Sequence, residues 1–214
     1  MNYHNIQTSL ICDIVKSDAF RNRLISINTN YPNLKQEAFI RNAILEMLNE
    51  HFYLANNPTL KAFAEHPRKH GRVDLSIIDK DNLENPFLIE FKYQFPYDIV
   101  HYVYSNTIKR DFHARKFSPN KQTDLFVLFI ASWEKEPKIG FDNIWGIDSD
   151  LSRYQLTGKQ KEDEWNQQIV SDFSNETKGT LIKWDNDQCY YRIDINSPYK
   201  MYCQIYILER RDNE

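Results

Sequence analysis

At 214 residues the chain is the size of one ordinary domain, and 41% hydrophobic with 14% aromatic content is enough to bury a core, which excludes wholesale disorder. A net charge of −3 and a pI near 6.1 weigh against a surface coated in positive charge and against tight non-specific binding to nucleic acid. Three dispersed cysteines, Cys12, Cys189 and Cys203, form no CxxC pair and suit a reduced, cytoplasmic setting.

The five glycines are too scattered for a GxGxxG or a P-loop, so no nucleotide cofactor is expected. GxSxG and HExxH are also absent. The opening MNYHNIQTSL has neither a basic leader nor an apolar run, so no signal peptide is expected. The longest apolar stretch, Leu125 to Ala131, is far too short to cross a bilayer, and no membrane association is expected.

In chain order, Ile6 to Ile27 reads as one or two helices, with Leu10, Ile14, Leu24 and Ile25 apolar. A turn over Asn28 to Pro32 leads to a second helical stretch. Its expected N-cap is Asn33 with Gln36 three residues on, and Ile40, Ile44, Met47 and Leu48 make its buried stripe to about His51. Leu60 to Glu65 is a short strand. Arg72 to Ile78 alternates, with Val73, Leu75 and Ile77 on one face and Arg72, Asp74 and Ser76 on the other. Phe87 to Phe95 alternates too, setting Leu88, Glu90, Lys92 and Gln94 opposite five aromatic or apolar residues.

Pro96 can open a helix reaching about Lys116. Asp124 to Ser132, apolar on both faces, reads as a central strand, and the strand–helix–strand order implies a parallel pair. Beyond it, Lys161 to Phe173 is expected to be an acid-rich helix. Thr180 to Trp184, Tyr190 to Ile195 and Met201 to Leu208 are expected strands. The expected class is α/β (α+β): a helical segment at 1–32, an α-β-β-β-α-β core with a mixed sheet at 33–133, and a helix plus β-rich extension at 134–214 packed on the same domain.

Charge is unevenly spread. Lys109 to Lys121 holds five basic residues (Lys109, Arg110, Arg115, Lys116 and Lys121) against Asp111, and Lys61 to Arg72 holds four (Lys61, Arg68, Lys69 and Arg72) against Glu65. From Glu134 to Asp187 acids prevail. Lys69, Arg72, Lys109, Arg110, Arg115 and Lys116 are therefore candidate contacts to nucleic-acid phosphates, although such runs are more often solvated faces.

Asp74 lies on one strand, and Glu90 and Lys92 lie two apart on the next, hence on one face. In a hairpin, two such carboxylates could share a divalent ion, with Lys92 beside it to orient a water or steady a phosphate. Glu37 precedes Ile40 by three and Ile44 by seven, on the buried stripe, where a carboxylate needs a partner such as a metal or Lys92. The alternatives are a solvated hairpin face with a cross-strand Glu–Lys pair, and a first-turn acid complementing the helix dipole. Gln94 either extends the polar face or neighbours the site. His66 and His70 lack a third ligand nearby and read as loop residues. The tryptophans read as packing rather than base-stacking groups. Glu-x-Lys alone decides nothing, since Glu136-Pro137-Lys138 and Glu176-Thr177-Lys178 repeat it outside any apolar strand.

Gly71-Arg72-Val73-Asp74, followed by Glu90-Phe91-Lys92 within FLIEFKYQF, resembles the PD-(D/E)XK nuclease superfamily of restriction endonucleases, junction resolvases and RecB-type nuclease domains. The resemblance covers about a hundred residues, and nothing after Trp133. It implies a restriction endonuclease-like core and Mg2+, with Mn2+ as a substitute, held by Asp74, Glu90, the Phe91 carbonyl and Glu37. It implies Lys92 as the residue assisting attack. The activity implied is hydrolysis of phosphodiester bonds in DNA by an endonuclease, in restriction, phage defence or a mobile element, and a homodimer would suit cutting of paired strands. A junction resolvase-like repair nuclease and a non-cutting relative that binds nucleic acid or protein are the alternatives.

Overall fold

The computed structural model describes residues 6–68, 71–96, 98, 106, 108–114, 116–118, 121–148, 162–176 and 178–211. Three mutually packed helices come first: α1 (Ile6–Lys16), α2 (Asp18–Asn30) and α3 (Glu37–Leu54). Ser17 separates the first two because its hydroxyl accepts the Phe20 N–H at 3.1 Å, capping α2. α3 does not start where the spacing predicts. Asn33 takes a left-handed conformation (φ 67°), and Gln36 is the N-cap residue, its buried side-chain amide donating to the Tyr31 carbonyl at 3.1 Å. Asparagine tolerates that backbone region, so Asn33 serves the turn instead of the cap.

β1 (Leu60–Arg68) and β2 (Gly71–Asp79) form an antiparallel hairpin, and β2 pairs antiparallel with β3 (Phe87–Gln94). Pro96, Asp98 and Asn106 are helical, and Ile108–Ala114 winds as a π-helix. The expected helix does not reach Lys116, which stands on β4 (Lys116–Ser118), paired with β5 (Lys121–Gln122). Ile108 and Phe112 seat one turn of the π segment in the core, and Ser118-Pro119 then disfavours helical continuation. The basic run is thereby divided between two elements.

β6 (Leu125–Trp133) runs parallel to β3, as the strand–helix–strand order implies. α4 (Lys135–Ile144) follows directly and has no counterpart among the expected elements. Then come α5 (Glu162–Ser174), β7 (Gly179–Leu181), β8 (Tyr191–Ile195) and β9 (Met201–Arg210). The result is an α+β fold around one mixed sheet of order β1-β2-β3-β6-β9-β7, with β8 also paired to β9.

All nine residues of β6 are buried, because β3 and β9 flank it and both sheet faces are covered. On one face Leu75, Ile89, Phe91, Phe129 and Ile205 pack under α1, α2 and α3 through Ile11, Phe20, Ile40 and Ile44. On the other, Phe126, Leu128, Tyr206 and Leu208 pack against Ile108 and Phe112 of the π segment and Trp165, Ile169 and Phe173 of α5. Three strands after Trp133, β7, β8 and β9, are thus part of the sheet itself.

This pairing has a consequence for truncation. A chain ending at Trp133 would leave every residue of β6 without its β9 partner and would uncover the second core. It is expected to be aggregated, or to bind 8-anilinonaphthalene sulfonate without a cooperative urea transition. A soluble fragment with a sharp transition would refute the dependence on β9.

Candidate functional site

The site begins with a break in pairing. β2 and β3 are in register at Leu75–Ile89, Ser76–Leu88 and Ile77–Phe87. The Leu88 N–H donates to Asp124 Oδ2 at 2.8 Å, and the Leu88 carbonyl accepts the Asp124 N–H at 2.9 Å, so even-numbered residues of β3 turn their peptide groups toward β6. Phe91, Tyr93 and Phe95 therefore present their N–H groups on the opposite side, beyond the β2 register.

Carboxylates take all three. Asp74 Oδ2 accepts the Phe91 N–H at 2.8 Å, and Glu37 Oε2 accepts the Tyr93 N–H at 2.8 Å. Asp98 Oδ2 accepts the Phe95 N–H at 3.0 Å and pairs with Lys35 Nζ at 2.9 Å. Asp74 comes from β2, Glu37 from the first residue of α3, and Asp98 from the helical start just after β3. Asp98 makes a local cap, its side chain reaching back three residues. Asp74 and Glu37 are non-local, brought in by the hairpin and by the packing of α3 on the sheet.

Glu37 is half-buried, and burial pushes its carboxyl above the ordinary glutamate value. Lys92 and the Tyr93 N–H pull it down, Asp74 pushes it up, and Arg41 pulls it down, with burial prevailing. Glu37, Asp74 and Lys92 are accordingly one electrostatic group. Arg41 is the weakest of these influences, and its guanidinium donates to Glu65 Oε1 at 2.7 Å.

Lys92 is 24% exposed, with Nζ 3.5 Å from Asp111 Oδ2. Arg110 holds the same carboxylate through Nε to Oδ1 at 2.7 Å and Nη2 to Oδ2 at 2.8 Å. Asp111 was not a sequence candidate, appearing only as the single acid of a basic run. A phase signal existed: Ile108 and Phe112, four apart, place Asp111 beside a buried stripe.

Glu90 and Gln94, 2% and 3% exposed, alternate with Phe91 and Tyr93 and share the face of Lys92. This speaks against the alternative of a solvated polar face, because every residue of β3 but Lys92 is buried. Among the described residues, no three His, Cys, Asp or Glu side chains form a group able to hold a metal ion. The pair of acids is Asp74 and Glu37, with donors that are all oxygen.

Of the candidate phosphate contacts, Arg72 is exposed on β2, 3.6 Å from Glu65 Oε2, and Arg110 is bound to Asp111. Lys69 and Arg115 lie outside the described residues, as do His70 and the side chains of His66, Lys109 and Lys116. Trp133, Trp165 and Trp184 are core residues, whereas Trp145 is 69% exposed. Lys138, the lysine of a second Glu-x-Lys, is buried in an ion pair with Asp142 on α4.

Glu37→Gln keeps an acceptor for the Tyr93 N–H and removes the charge. The folded carboxyl binds its proton more tightly than the unfolded one, so its favourable contribution holds below 4.5 and is lost as pH rises through the folded value. The variant is expected to melt a few degrees above the wild type at neutral pH, with the gap closing in acid. A wild type that melts higher than Glu37→Gln at pH 7 would contradict the burial argument.

Comparison with protein-family models, with curated proteins and with solved structures returns no match.

Proposed function

We propose that the chain is a metal-dependent nuclease that hydrolyses phosphodiester bonds in DNA, with its centre where β2 and β3 part. The observation carrying this reading is the capture of the Phe91 and Tyr93 N–H groups by Asp74 and Glu37, which gathers two acids from separate elements beside Lys92. The order α3, β1, β2, β3, helical segment, β6, with β3 and β6 parallel, agrees with a restriction endonuclease-like core.

The residues fit Mg2+ or Mn2+. Each carboxylate accepts one described backbone hydrogen bond and has lone-pair capacity left, and a half-buried acid with a raised pKa beside a second acid gains from a nearby cation. Asp74 and Glu37, with the Phe91 carbonyl, which faces the parted edge like its N–H, would hold it, whereas Glu90 forms no three-acid group with them. When bound, such an ion lowers the pKa of a water and neutralises charge on the phosphate.

The chain's own groups have distinct tasks. Asp74 and Glu37 are pinned by rigid backbone donors, so little ordering remains when substrate arrives. Lys92 brings a positive charge to the phosphate oxygens as negative charge builds there. Arg72 and Arg110 are exposed enough to meet flanking phosphates.

The test is cleavage of plasmid, linear and four-way-junction DNA with Mg2+, Mn2+ or EDTA, beside Asp74→Asn and Lys92→Ala. Asparagine keeps an acceptor for the Phe91 N–H, so the fold is spared. Each variant is expected to lose about a hundredfold or more of wild-type cutting, and EDTA to abolish it. Cutting of the junction alone would identify a resolvase-like enzyme. Cutting that survives Asp74→Asn would sink this site, and binding without cutting by the wild type would indicate a non-cutting relative.

A further inference from the structure

Asp111 is 1% exposed, and a carboxylate so buried needs compensation. Arg110 supplies it with a two-pronged hydrogen bond to both oxygens. The contact from Lys92 at 3.5 Å is longer than a hydrogen bond and is not needed to satisfy the acid. The party that gains is Lys92, a long side chain with much rotamer freedom to lose.

The acid is also held firmly. Thr123 Oγ1 donates to the Asp111 carbonyl at 3.2 Å. Arg210 of β9 donates to the Phe112 carbonyl, lies 4.2 Å over the Phe112 ring, and reaches the Thr123 carbonyl at 2.6 Å. Ile108 and Phe112 are fully buried on either side. The π-helical wind of this turn is the kind of local irregularity that re-aims a side chain.

We propose that Asp111 is a positioning residue that fixes the Lys92 ammonium and the Arg110 guanidinium as one cationic pair for a phosphodiester of the nucleic-acid substrate. The phosphate part rests on the nuclease reading, whereas the positioning part does not. One acid between two bases leaves a net positive charge, so the assembly can both hold Lys92 in place and attract a phosphate.

Two variants and two readouts test it. Amine-specific labelling of Lys92, followed by mass spectrometry on the folded protein without DNA, reports how firmly the ammonium is held. In Asp111→Asn labelling is expected to rise about threefold, the scale of a partly exposed ion pair. In Arg110→Ala, where Asp111 loses its two-pronged hydrogen bond and can engage Lys92 more closely, labelling is expected to slow. On DNA, Asp111→Asn should lower kcat about tenfold and change KM little, since many phosphates share binding. If Asp111→Asn does not fold, Arg110→Ala decides, because its side chain is 59% exposed. Labelling unchanged in folded variants overturns the proposal even if the wild type cuts DNA. Labelling that shifts as expected in a wild type and variants that cut nothing keeps the positioning role and discards the nuclease reading.

Discussion

The structure turns on three backbone donors. Past Ile89 the register of β2 with β3 ends, and a buried N–H left without an acceptor costs about 1–3 kcal/mol. Asp74, Glu37 and Asp98 meet that demand at Phe91, Tyr93 and Phe95. Their ties differ. Asp98 is held to Lys35 by an ion pair, whereas Asp74 stands near Glu37 and raises the cost of ionising it. The same acids that close the parted sheet therefore supply the charge of the candidate site. Stability and site geometry depend on one set of contacts.

Those contacts are possible because the sheet behind them is rigid. β6 is buried along its whole length, locked to β3 on one side and to β9 on the other. Arg210, near the end of β9, extends this lock to the π segment, and Asp124 extends it to β3 by accepting the Leu88 N–H. Lys92 thus sits between two anchored elements, its own strand and the turn bearing Asp111. The aromatic, acidic tail contributes through this packing: Trp165, Phe173 and Tyr206 build the second core under that turn.

Local patterning carried much of this. Alternation located β2 and β3, a run apolar on both faces located β6, and alternation set Leu75 and Ile77 apart from Asp74 and Ser76 as the burial of their core partners requires. The parallel β3–β6 pair followed from chain order alone. What alternation cannot express is pairing across long separations. β9 lies about seventy residues beyond β6, and no local signal states that they are neighbours or in which register. Nor does period-two polarity distinguish a solvated face from a covered one, which is why alternation alone left the solvated alternative open although Glu90 and Gln94 are buried. Asn33 illustrates a third limit, since asparagine suits both an N-cap and a left-handed turn, and only the packing of Gln36 decides.

The candidate site was partly legible for the same reasons. Helix phase turned Glu37 inward, and it meets the Tyr93 N–H. The bland alternative, a cross-strand Glu–Lys pair on an open hairpin, requires Lys92 to lean on an acid of a neighbouring strand. It leans instead on Asp111, from a separate helical turn, while Arg41 is drawn to Glu65. Cations are therefore near the two acids without contacting them. A purely structural cluster minimises its energy by bringing buried acids and bases into hydrogen-bonded contact, as Lys138 and Asp142 do on α4. Glu37 and Asp74 are bonded only to backbone donors among the described hydrogen bonds, with the nearest base held by another acid. That arrangement leaves negative charge underpaid at one edge of the sheet, a condition that a cationic ligand relieves and further packing does not.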